Sequence, residues 1–136
     1  MLLDIHGHGV NPDGFNDLRT WIGYLITSAE LDESDDYIDT NIPINETSLR
    51  AILNKSDYSL SDLIRGKFSL GSLMEKNNIT SLPSSQNLSP NGSRYFSGGY
   101  ITRVYGTDIN HDISSIQLEF PYDGIRSSIE EINSFT

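Results

Sequence analysis

The feature that most constrains this fold is its opening string, Met1-Leu2-Leu3-Asp4-Ile5-His6-Gly7-His8-Gly9. An apolar run meets Asp4 and His6 and is then stopped by glycines, so residues 1–5 read as a short buried strand. Residues i and i+2 of an extended chain project to the same side. His6 and His8 can therefore reach one metal ion from a strand end, provided that Gly7 and Gly9 do not bend the chain first. The alternative is a loop histidine bonded to its neighbours. Residues 8–14 read as that loop, marked by Gly9, Asn11-Pro12 and Asp13-Gly14.

At 136 residues the chain has the size of one domain with one core. Its 36% hydrophobic and 10% aromatic residues suffice for a packed interior, and no apolar run approaches a bilayer span. A net charge of -10, with Lys and Arg scattered singly, argues against a nucleic-acid partner. The absence of both a leader and a membrane span gives a cytoplasmic location as the expectation. With no cysteine there is neither disulfide nor thiolate chemistry. The acidic stretch 30–39 reads as a solvated loop.

Further along, residues 18–27 carry Trp21, Ile22, Tyr24, Leu25 and Ile26 and fit a buried strand or a short helix. Between 46 and 77 the pattern is helical and interrupted, with Ser48, Ser59 or Ser61, and Ser69 as starts and Gly66 as a stop. Residues 77–92, rich in Ser, Asn and Pro, read as a long surface loop. Residues 95–105 alternate after Gly98-Gly99 and read as a strand. Residues 114–120 form another, with Ile116, Leu118 and Phe120 on one face and Gln117 and Glu119 on the other. A terminal helix follows from Ser127 or Ser128. The order suggests an α/β fold, a sheet with helices packed on it.

Two further strings carry chemistry. Glu119 places a carboxylate in an otherwise apolar strand that Pro121 ends. It is either paired with Arg103 or Arg126, or poised as a general base. In Gly98-Gly99-Tyr100-Ile101-Thr102-Arg103 the glycines allow a close backbone approach, and Arg103 offers a fork to a carboxylate. A plain Gly-Gly turn is the other reading.

Taken in order, Asp4-Ile5-His6, then Gly98-Gly99-Tyr100-Ile101-Thr102-Arg103 with Tyr105-Gly106, then Ile116-Gln117-Leu118-Glu119 with Arg126, resemble the N-formylglutamate amidohydrolase family. That family is similar in fold to the zinc carboxypeptidases. The resemblance implies a mixed β-sheet flanked by helices and a zinc cofactor. It also implies a small-molecule amide or acyl-amino acid substrate; charge and composition argue against nucleic acid and membrane as partners. His6 looks like a zinc ligand of the family, with His8 a second candidate. Glu119 looks like the catalytic carboxylate. Gly98, Gly99, Arg103 and Arg126 would bind substrate. The family's first metal pair, a histidine and an acidic residue of an H-x-x-E type segment, lies upstream of its D-x-H strand. The expectation is therefore an incomplete domain over 1–136, the C-terminal portion of a longer hydrolase. Its exposed apolar sheet edge would make the chain self-associate or dissolve poorly, and the missing upstream metal ligands would leave it inactive alone. A non-catalytic ligand-binding domain on the same scaffold is the competing expectation. A metal-dependent (β/α) barrel needs far more chain, roughly 250 residues.

Overall fold

The computed structural model describes residues 1–9 and 16–135. Four strands, β1 (Leu2–His8), β2 (Thr20–Gly23), β3 (Ser81–Leu82) and β4 (Ser115–Pro121), form one mixed sheet in the order β1-β4-β2-β3. β1 and β4 run parallel, as do β2 and β3, while β2 and β4 are antiparallel. Seven short helices accompany the sheet among the described residues: α1 (Ser28–Leu31), α2 (Asp35–Asn41), α3 (Arg50–Leu53), α4 (Leu60–Arg65), α5 (Leu70–Glu75), α6 (Tyr100–Thr107) and α7 (Ile129–Phe135). The chain is thus an α/β fold with an open mixed sheet. The expected loop at 8–14 falls mostly on residues outside those described.

Register sorts the sheet into two chemically different faces. His6 pairs with Glu119, which in turn pairs with Trp21; Asp4 pairs with Gln117, and Gln117 with Gly23. Partners in register share a face. One face therefore carries Asp4, His6, His8, Gln117, Glu119 and Trp21. The other carries Leu3, Ile5, Ile22, Ile116, Leu118 and Phe120. Ile22, Ile116 and Leu118 join Ile26, Leu31, Ile38, Leu60 and Ile64 in the buried core. The alternation expected of residues 114–120 is therefore present, with residues 115–118 of β4 buried and Glu119 and Phe120 only partly so.

Four expectations are corrected. The opening strand is not buried and does not stop at Ile5: β1 runs through Gly7 to His8 at the edge of the sheet, with Leu3 45% and Ile5 65% exposed. The core stops at β4, so nothing covers those side chains. The acidic stretch is not a loop but two helices. A capping box between Thr27 and Glu30 starts α1, and Ser34 caps α2, whose first turn holds Asp35 and Asp36 and whose Ile38 is buried. The long loop at 77–92 is not all surface: it contains β3 and buries Leu82, Pro83, Ser84 and Pro90. There the Glu75 carboxylate accepts from Ser81 N–H, the Ser84 hydroxyl and the Asn87 amide, so polar loop atoms are satisfied inside.

The fourth correction concerns residues 95–105. These are not a strand; α6 begins at Tyr100 after Gly99 as N-cap. Thr102 and Gly106, four apart, face inward, while Tyr100, Val104 and Tyr105 are exposed. That is helical spacing. Gly106 lies against Ser48, with backbone atoms closer than any side chain at 106 would allow.

Candidate functional site

The polar face of the sheet gathers most of the expected site residues. β1 and β4 run side by side, and their parallel register sets His6 next to Glu119. The His6 ring is half exposed and its Nε2 lies 2.9 Å from Asp4 Oδ1 on the same strand. The shared direction of Asp4, His6 and His8 follows from the period of two that the sequence displayed.

Glu119 sits at the end of a short relay. The Gly99 N–H donates to Gln117 Oε1 at 2.7 Å, and Gln117 Nε2 donates to Glu119 Oε1 at 2.6 Å. Gln117 is buried, Glu119 only partly. Its Oε2 has no protein hydrogen-bond partner among the described residues. Neither arginine of the ion-pair reading approaches it. The relay depends on a close approach of two backbones: a Cβ at Gly23 would lie 2.7 Å from the Gly98 nitrogen. Gly98 itself has φ +123, a conformation that favours glycine. Paired glycines thus meet the glycine of β2, which seats the start of α6 over the polar face.

His8 is anchored differently from His6. Its ring stacks on Trp21, centroids 4.0 Å apart and planes 6° from parallel. Its Nε2–H donates to the Arg19 carbonyl at 3.0 Å, leaving Nδ1 as the lone-pair nitrogen of the neutral ring. Trp21 Nε1–H donates in turn to Asp17, a buried carboxylate that also accepts from Arg19 N, Nε and Nη2. Burial would raise the Asp17 carboxyl. The hydrogen bonds from Arg19 and Trp21, with the Arg19 charge, outweigh it and hold the group below its ordinary value.

The expected substrate residues separate. Arg126 lies against Gly7 and donates to the His8 carbonyl at 2.9 Å, with its guanidinium 5.3 Å from the Tyr122 ring centre. Since Gly7 alternates with His6 and His8, Arg126 is on the opposite face of the sheet from Glu119. Arg103 projects from α6 into a groove of about 440 Å³ lined by Leu25, Thr27, Glu30, Ser97 and Thr107. It forms no ion pair among the described residues.

No three or more His, Cys, Asp or Glu side chains among the described residues are arranged to hold a metal ion. Imidazole and carboxylate are the right kind of donors for zinc, but a catalytic zinc usually takes three protein ligands. His111, in the loop after α6, is engaged with Asp108 at 2.8 Å. The set formed by these residues is therefore short of a complete zinc site. Gln117, Trp21 and Asp17 were not singled out from sequence. The signals for Gln117 were its place two residues before Glu119 on the same face and in the Ile116-Gln117-Leu118-Glu119 string, neither of which gave it a role.

Compared with family models, curated proteins and solved structures, the chain matches none. No described helix is long and apolar enough to cross a membrane.

Proposed function

We propose that this chain carries part of the site of a zinc-dependent amidohydrolase for N-acyl amino acids, N-formyl ones among them, or related amides. On this reading its scaffold is zinc carboxypeptidase-like and its kinship is with the N-formylglutamate amidohydrolases. The observation that carries the proposal is the register of β1 on β4, which puts His6 beside Glu119 on one polar face.

Zinc, when bound, supplies Lewis acidity and a water reactive near neutral pH. The described ligands are too few for that alone, so the isolated chain is inactive. Glu119 is the proton acceptor for an attacking water. Gln117 holds one carboxylate oxygen, fixing the group while Oε2 stays available. Arg103, unpaired and beside the Gly98-Gly99 turn, binds the substrate carboxylate.

Calorimetric titration of zinc into the wild type and His6→Ala tests this. Stoichiometric binding that His6→Ala weakens about tenfold or more is the expected result. The unpaired Arg103 also suits a ligand-binding domain without catalysis. Absence of stoichiometric zinc binding would favour that second reading.

A further inference from the structure

β1 ends the sheet, and its outer side meets no other strand among the described residues. The Leu2 N–H donates to the Ser114 carbonyl at 2.8 Å, toward β4. Main-chain groups alternate sides along a strand, so those of Leu3, Ile5 and Gly7 face outward. Leu3 and Ile5 also leave their side chains exposed on the apolar face. Native proteins normally blunt an edge of this kind or pair it.

We infer that β1 pairs antiparallel with β1 of a second copy about a two-fold axis at Ile5. Only outward-facing residues can exchange ladder bonds, which restricts the register. With Ile5 opposite the partner's Ile5, all of Leu2–His8 is paired, and Leu3, Ile5 and Gly7 supply the bonded positions. In that register Asp4 stands opposite the partner's His6, and His6 opposite the partner's Asp4. The strand thus sets an imidazole opposite a carboxylate at both of these positions. A displacement by two residues brings Asp4 onto the partner's Asp4, or His6 onto the partner's His6, and leaves strand ends unpaired. On the other face, Ile5 packs on the partner's Ile5 and leaves water, while Leu3 stands opposite the partner's Gly7.

The pairing also extends the polar face. One row across the joined sheet then reads Trp21, Glu119, His6 and the partner's Asp4, so the second copy adds a carboxylate beside the two ligand-type groups of the first. The dimer stands whether or not Glu119 is a catalytic base.

Because the chain has no cysteine, a single introduced one reports the register. Residues opposite each other in a bonded pair have Cα atoms about 5.5 Å apart, within disulfide range. Ile5→Cys is expected to cross-link to a covalent dimer under mild oxidation. Leu3→Cys, offset from its counterpart by roughly 14 Å along the strands, should react at least about tenfold more slowly. In sedimentation the wild type should be a dimer. Ile5→Pro, which removes an outward N–H and no bond to β4, should weaken that dimer at least about tenfold with its circular dichroism retained. A wild type that sediments as a monomer, equal cross-linking of the two cysteine variants, or a folded Ile5→Pro that stays as dimeric as the wild type would overturn the inference.

Discussion

Two residues without an expected role hold the candidate site in place. Gln117 is buried and spends both ends of its amide, accepting from Gly99 and donating to Glu119. Gln117→Leu keeps the volume but orphans the Gly99 N–H, and urea unfolding should show a loss of about 1–3 kcal/mol. Asp17 is the other, held below its ordinary value of 3.8 by bonds to Arg19 and Trp21 that exceed its burial. A carboxyl whose folded value lies below its unfolded one stabilises fully above the unfolded value, and that contribution fades as pH falls through the folded value. Asp17→Asn should cost about 2 kcal/mol at neutral pH and flatten the acid limb of the stability profile, from the ordinary carboxylate range downward. Neither role was legible beforehand. Each depends on which atoms meet across the sheet, and a single strand pattern carries only the face on which a side chain lies.

At the scale of elements, the reading succeeded where one period dominated and failed where local chemistry overrode composition. β4 alternates, and its two faces were assigned correctly. Of the serine starts expected between 46 and 77, Ser59 and Ser69 do cap α4 and α5, whereas α3 starts from Leu49 with no side-chain cap and Ser48 does not cap it. The acidic stretch misled because charge suggested solvent, whereas Thr27 and Ser34 start helices there that bury Leu31 and Ile38. Residues 95–105 misled because Gly98-Gly99 marks a hairpin turn as readily as a helix start. The decisive fact was the contact with Gly23, which belongs to a distant strand. Gly23→Ala pushes a methyl into the backbone at Ser97 and Gly98. It should lower stability by about 1–3 kcal/mol in thermal or urea unfolding.

For the whole molecule, the α/β class and a sheet with helices around it could be read from the order of elements. The placing of β1 at an edge could not, because strand order is set by pairings between distant segments. That position leaves Ile5, His6 and Gly7 exposed, with both imidazoles of the string on the same face as Glu119, and it sets apart Arg126, which the sequence had grouped with them. The central claim is that His6 is a zinc ligand and Glu119 a base beside it. Zinc calorimetry on the wild type, His6→Ala and Glu119→Gln separates those two roles. The account predicts one His6-dependent site, weakened about tenfold or more in His6→Ala and little changed in Glu119→Gln. Zinc binding indifferent to His6, or no stoichiometric binding at all, would contradict it.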